Sequence, residues 1–253
     1  MKQFIRFLVR NIPRPLLIRF SGLFSFLVTP FYLGNNVECL VCETSFRKFL
    51  PFGNKGEKNR LCPKCLSLER HRLLWIYLKT ETGFFKDNLK VMHIAPEQPF
   101  INRFKKLKNL DYTTADLVSP IADIHFDVME IPLEDNSYEF VICNHVLEHV
   151  EDDITAMKEL RRILKPGGTA ILQVPINYEY QKTHEDKSIT DPKQREKVFG
   201  QYDHVRFHGL DYPDRLKKAG FKVSEYDIKK HLEMKLIEKY RLDKREIIFV
   251  AKK

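Results

Sequence analysis

No acidic residue occurs in the first 36 positions of this 253-residue chain, and no glycine stands between Lys90 and Phe100. No apolar run reaches the roughly 20 residues that a membrane-crossing helix needs. Each absence excludes something. The run "PLLIRFSGLFSFLVTPFYLG" carries Arg19, Gly22 and Pro30, so it does not read as a membrane span. Its layout is not that of a cleavable signal peptide either. Lacking acids, residues 1–36 leave Lys2, Arg6, Arg10, Arg14 and Arg19 uncompensated. The glycine-free stretch "KVMHIAPEQPF", residues 90–100, excludes an ordinary glycine-rich turn where the surrounding pattern asks for one. No segment is of low complexity, and no repeat of solenoid period occurs.

The composition is 43% hydrophobic and 30% charged, as in a soluble protein with room for one large domain and a small appendage. The net charge of +9 is unevenly spread: residues 1–80 hold 14 basic and 4 acidic side chains. A basic region of this kind suits an anionic partner, nucleic acid or a phospholipid surface, or is simply a solvated face. Arg6, Arg10 and Arg14 recur every four positions beside Phe4, Ile5, Phe7 and Leu8, which reads as a helix ended by Pro13 and Pro15. The apolar run after it reads as a helix lying in an anionic membrane interface or packed on the protein's own surface. The expected location is the cytoplasm, with residues 1–36 as a peripheral anchor on the inner face of the membrane.

"CLVC" at 39–42 and "CPKC" at 62–65 form the most specific motif in the chain. Each C-x-x-C turn aims two sulfurs at one ion, and two turns complete a tetrahedral shell. Cys39, Cys42, Cys62 and Cys65 are therefore the expected ligands of a structural zinc, with "PFGNKGEKN", residues 51–59, as a hairpin turn between them. A closed four-sulfur shell leaves no place for a reacting water. Cys143 falls in an apolar run and reads as core. "LSLERHRLLWIYLKTETGF", residues 66–84, reads as a helix with Arg70, His71 and Arg72 on or near its polar side.

From residue 90 the pattern alternates. Strands are expected near 90–95, 111–117, 123–128, 138–144, 169–175, 221–228 and 246–252. Helices are expected near 98–109, 151–164, 209–219 and 231–240, with "LKPGG" at 164–168 stopping one of them. The alternation predicts an α/β fold, a doubly wound, mostly parallel seven-stranded sheet with a small N-terminal zinc module. The domains are drawn as 1–36, 37–84 and 85–253. In such sheets a ligand binds beyond the carboxyl ends of the strands, where strand order reverses.

"PLEDNSYEFVIC", "HVLEHV" and "LKPGG", in that order within residues 127–175, resemble class I S-adenosylmethionine-dependent methyltransferases. The resemblance is to the type 11, ubiquinone-biosynthesis-like group. It implies a Rossmann-like methyltransferase domain with S-adenosylmethionine as cofactor. It also implies roles for residues. Asp116 would accept the ribose hydroxyl protons. Asp127 would take the adenine amine, with the Val128 amide reaching a ring nitrogen. Asn144 and His145 would lie by the methionine part and the substrate. Aligned to the family's first turn, His93 stands at the usual acid, Ala95 at the first glycine and Glu97 at the second. Glu97 is then the candidate to bind the cofactor's ammonium.

The stretch 176–208 is long for a connection and reads as a lid. Tyr202, Asp203 and Arg206 are its candidate substrate contacts, and His145 and His204 are candidate general bases. Three functions stay open. One is methyl transfer to a small or lipid-linked acceptor at an anionic membrane surface. Another is RNA methylation, with the zinc module holding phosphates; it is the weaker reading because no aromatic stacking platform stands out. The third is a non-catalytic scaffold with a decayed cofactor site.

Overall fold

The computed structural model describes residues 14–53 and 56–253. The N-terminal helix expected around Arg6 and Arg10 lies outside those residues. The chain divides into two compact units.

The first unit comprises the chain up to Phe85 together with Glu97–Arg103 and Asp227–Glu246. It holds α1 (Arg14–Val28), β1 (Leu33–Cys39), β2 (Thr44–Phe46), β3 (Leu50–Phe52), β4 (Glu57–Leu61) and α2 (Glu69–Thr80). Most of α3 (Gln98–Phe104) and all of α7 (Met234–Lys239) belong to it as well. β1 pairs with β2 and β3 with β4, both antiparallel, so the expected hairpin is present. Pro15 sits in the first turn of α1, where its missing N–H costs nothing.

The leading segment of the first unit runs to Phe85, one residue past the boundary drawn from the sequence. Two later segments return to the first unit, and named bonds hold them there. Arg103 Nε donates to the Val41 carbonyl at 2.7 Å, and Lys239 pairs with Glu38 at 2.8 Å. Arg72 donates to the carbonyls of Arg60, Ser67, Tyr240 and Arg241 and lies over the Phe49 ring. This corrects the reading of α2. His71 and Arg72 are buried rather than on a polar side, because their donors are consumed by carbonyls and a carboxylate inside the unit.

The second unit is built on a seven-stranded sheet. Its strands are β5 (Leu89–Ile94), β6 (Leu110–Asp116), β7 (Ile124–His125), β8 (Tyr138–Cys143), β9 (Leu164–Ile171), β12 (Lys222–Asp227) and β13 (Ile247–Lys252). They stand in the order β12-β13-β9-β8-β5-β6-β7. β5, β6, β7, β8 and β9 run parallel, and β13 lies antiparallel to β9. α4 (Asp153–Ile163), α5 (Pro192–Phe199) and α6 (Tyr212–Lys218) belong to the same unit. The α/β class with a mostly parallel seven-stranded sheet is thus as the alternation suggested.

Two strands differ from the expected spans. β7 shrinks to two residues because Asp123 turns back: its Oδ2 accepts from the Thr114 backbone and hydroxyl at 3.0 and 2.6 Å. "LKPGG" does not precede the fifth strand but lies within β9, where the register against β8 shifts between Tyr138 and Phe140. A Cβ at Gly168 would come within 2.9 Å of the Lys165 carbonyl, so only glycine fits this bulge.

The core of the unit joins Met92, Ala115, Val141, Cys143, Leu160, Ile163, Leu172, Tyr212 and Phe249. Cys143 is a core residue, as expected. The stretch 176–208 is not an open loop. β10 (His184–Glu185) pairs with β11 (Arg206–Phe207), antiparallel, and α5 lies between them. His208 is fully buried beside the Tyr212 ring. Burial, aided by Arg206 and Arg215 and opposed by Asp153 and Glu148, pushes its imidazole down to about 4.

The sign follows from where the proton binds. An unfolded histidine takes its proton near pH ~6.5, whereas the folded one stays neutral to about pH 4. The unfolded chain therefore binds more protons between those values, and stability falls as pH drops through them. The full loss is on the order of 3 kcal/mol. Urea melts at pH 7 and pH 5 should show a larger acid-side loss in the wild type than in His208→Gln; equal losses would contradict this.

Candidate functional site

The strand order reverses between β5 and β8: β5 runs to β6 on one side, while the next parallel strand, β8, lies on the other. This is the place where sheets of this kind leave a crevice. The register sets Ile94 level with Ala115 and with Cys143. The residues that follow, Ala95, Asp116 and Asn144, therefore stand side by side at the carboxyl edge of the three central strands.

Ala95 has φ +48 and donates its N–H to the Ala115 carbonyl at 2.7 Å. It holds the left-handed conformation that glycine adopts freely, at a cost an alanine bears and a larger residue bears worse. Asp116 Oδ1 accepts from the Val118 and Ser119 amides at 2.9 and 2.8 Å, and neither bond uses Oδ2. Asp127 follows β7, and its Oδ1 accepts from the Met129 amide at 2.8 Å, again without Oδ2. Val128 is buried in the core beside it.

Asn144 is buried, and its Oδ1 accepts from the Gln173 amide at 3.3 Å. Gln173, which the sequence did not single out, carries the link onward. Its Nε2 donates to the Ile247 carbonyl and its Oε1 accepts from the Phe249 amide, both at 2.8 Å. The end of β8 is thus tied through β9 to β13. His145 has φ +56, and its Nδ1 lies 3.3 Å from Glu148 Oε1. A non-glycine residue held in this region marks a place where geometry is imposed by its surroundings.

Three expectations need correction. His93 is fully buried, with Nδ1 2.7 Å from the Tyr112 hydroxyl and its ring against Phe104. Glu97 sits within the first unit, where its Oε1 accepts from His71 Nε2 at 2.7 Å and lies 3.7 Å from Arg70. That oxygen has a partner other than an ammonium. Arg206 is not a surface recognition group either. It is 2% exposed and donates to the carbonyls of Leu147, Val150 and Glu151 and to Glu185, so it fastens β11 to the turn after β8.

The remaining lid residues divide. Tyr202 is 61% exposed. Asp203 approaches His149 Nδ1 through its carbonyl at 3.3 Å and its carboxylate at 3.5 Å. His204 is buried, and burial lowers its pKa. Glu148 and His149, neither of them among the candidate site residues of the sequence, lie with His204 in one group. The signal was present as "HVLEHV", but spacing alone does not show that a distant histidine comes to meet it.

The four cysteines gather within the first unit. Cys39 Sγ and Cys65 Sγ are 3.5 Å apart, Cys42 Sγ and Cys62 Sγ 3.7 Å, and all four lie within 4.8 Å. A disulfide would hold its sulfurs at ~2.05 Å. Metal–sulfur bonds of ~2.3 Å in a tetrahedron put the sulfurs about 3.8 Å apart, so the set has the dimensions of a closed four-thiolate shell. Glu43 and Leu66, each directly after the second cysteine of a pair, take left-handed φ values of 51 and 58. Ser67 Oγ lies 3.1 Å from Cys39 Sγ and 3.2 Å from Cys65 Sγ. Bonding to Cys42 first, and then to Cys62 and Cys65, pulls the Cys39 thiol far below its ordinary range. Thiolates crowded this closely repel, and a divalent cation offsets that repulsion.

Residues 81–172 match the family model described as "Methyltransferase domain". A demethylmenaquinone methyltransferase from Staphylococcus aureus (strain JH9) is 46% identical over 48 residues, which is 19% of this chain and 20% of that protein. The match thus spans about a fifth of the relative's length. A methyltransferase from Mesorhizobium loti, titled as S-adenosylmethionine dependent, superposes with TM-score 0.46 at 15% identity, covering 71% of this chain and 97% of its own. The [4+2]-cyclase SpnF superposes with TM-score 0.49 at 15% identity, covering 91% and 93%.

Replacing Ala95 by glycine should relieve the left-handed strain and raise stability by up to about 1 kcal/mol, whereas Ala95→Val should lower it by more. Urea unfolding of both variants reads the difference. A destabilised glycine variant would contradict the backbone assignment.

Proposed function

We propose, on the footing that residues 81–172 carry a methyltransferase domain, that this chain transfers a methyl group from S-adenosylmethionine to a small or lipid-linked acceptor at a membrane surface. The observation that carries the cofactor reading is the common level of Ala95, Asp116 and Asn144 at the reversal of strand order. When bound, S-adenosylmethionine supplies an electrophilic methyl group on a sulfonium sulfur. Ala95 keeps side-chain bulk out of the turn. Asp116 has one carboxylate oxygen outside its own turn for the ribose hydroxyls, and Asp127 has one for the adenine amine. Together they do at separate strand ends what a glycine-rich turn does mainly with backbone.

His145 is the residue assigned to hold the acceptor's proton. Its Nδ1 faces Glu148 Oε1, so a charge formed on the imidazole meets a buried carboxylate. Alignment of acceptor and methyl group accounts for the rest of the rate.

The membrane part of the reading rests on α1. Phe20, Leu23, Phe24 and Leu27 follow helical spacing along α1 and are between 48% and 57% exposed, and Phe31, in the turn just past α1, is 74% exposed. A run of exposed apolar side chains in a segment whose sequence carries basic and no acidic residues suits an anionic lipid interface. Among the described residues no helix is long and apolar enough to cross a membrane. Zinc is assigned to Cys39, Cys42, Cys62 and Cys65 as a structural ion, supported by the sulfur spacing.

Calorimetry with S-adenosylhomocysteine should show binding by the wild type, weakened at least about tenfold in Asp116→Ala, which is ~1.4 kcal/mol. No heat at high ligand concentration would instead favour a non-catalytic scaffold. Flotation with anionic vesicles should succeed for the wild type and fail for Phe24→Asp/Leu27→Asp. A salt-dependent RNA shift without flotation would overturn the membrane assignment in favour of RNA. Stripping metal with a chelator should loosen residues 39–65 in hydrogen exchange while the sheet stays protected; unchanged exchange would count against zinc.

A further inference from the structure

A second group of side chains of metal-ligating types lies in the α/β unit, away from the four cysteines in sequence. Glu148, His149 and His204 each offer one ligand atom, and the three atoms lie within 4.8 Å of one another. Two of the three side chains are buried, Glu148 at 2% and His204 at 3% exposure.

The hydrogen bonding fixes what they present. His204 Nδ1 lies 3.0 Å from the Phe199 carbonyl. A carbonyl can only accept, so Nδ1 carries the proton and Nε2 presents a lone pair. That Nε2 is buried without a hydrogen-bond partner among the described residues. Glu148 is in the same position: Oε1 faces His145 Nδ1 at 3.3 Å, while Oε2 is buried and unpartnered. The His149 ring meets the His204 ring edge to face, with centroids 4.7 Å apart. Asp203 orients the His149 ring through its carbonyl and carboxylate, as outer groups commonly do around a ligating imidazole. A buried lone pair and a buried carboxylate oxygen, both unused and on residues whose ligand atoms gather within 4.8 Å, are costly to leave unmet.

We propose that Glu148, His149 and His204 form a binding site for a divalent transition-metal ion. Two imidazoles and one carboxylate suit zinc and its first-row neighbours and do not suit a soft monovalent ion. Three protein ligands leave coordination positions open, unlike the closed shell of the cysteines. The His149 side chain is 34% exposed, so those positions have a route to solvent for water or an oxygen-bearing ligand. The site joins the turn after β8 to the segment just before β11, and a bound ion fastens the two. This assignment does not depend on methyl transfer or on the cofactor.

The test uses the full chain loaded with zinc and, separately, with cobalt(II), followed by dialysis and metal analysis. The wild type should retain a metal equivalent beyond that held by the cysteines. His204→Ala and His149→Ala should each lose that equivalent, or bind it at least about tenfold more weakly. Both should keep the intense thiolate-to-cobalt absorption of the four-sulfur site, which also reports that the first unit is folded. His149 is partly exposed, so its variant remains informative if His204→Ala folds poorly. If the cysteines prove metal-free, the variants should still lose the remaining equivalent. Retention of metal only at thiolates in the wild type, or an undiminished second equivalent in both variants, would overturn the proposal.

Discussion

Parallel register is the constraint on which the rest depends. Because β5 pairs with β6 and β8 in step, the last hydrogen-bonded residues of all three strands end at one level. Whatever follows them is brought together without any side-chain contact being needed. Ala95, Asp116 and Asn144 are neighbours for that reason alone. The reversal of strand order at β5 and β8 falls at that same edge, the place where sheets of this kind bind ligands. The missing glycines matter less than the sequence suggested, because Ala95 reaches the left-handed conformation that the turn requires.

Buried polar groups hold the surroundings of that edge. Gln173 links the end of β8 to β13 through three backbone groups. Arg206 gathers the carbonyls of the turn after β8, and Arg215 pairs with the buried Asp153 at the start of α4. Such groups are expensive to bury singly and stable only when every donor is met. They are met here by carbonyls, an amide and carboxylates near the ends of strands and helices, and the long stretch 176–208 is ordered around β10, α5 and β11 rather than loose.

Much of the frame was legible in the sequence. The apolar runs marked every strand of the large sheet, and for the parallel strands in its middle this follows from burial on both faces. The cysteine spacing gave a four-sulfur cluster, because two C-x-x-C turns have few other ways to fold. What failed to show was the destination of long polar side chains. His71, Arg72 and Arg206 read as surface residues, as their types usually are, yet their partners are carbonyls and a carboxylate up to 169 positions away. Glu97 was matched to a ligand because its position allowed it, while its partner His71 lay outside the motif. The meeting of Glu148 and His149 with His204 was hidden for the same reason. Local pattern reports which residues share a face, and not which distant segment that face will meet.

The central claim is that a nucleoside bearing a charged sulfur lies across the ends of β5, β6 and β8. A crystal structure of the chain soaked with S-adenosylhomocysteine tests it most directly. The expected result is density over Ala95 with the ribose against Asp116 and the adenine beside Asp127. A ligand bound elsewhere, with both carboxylates untouched in their own turns, would contradict it.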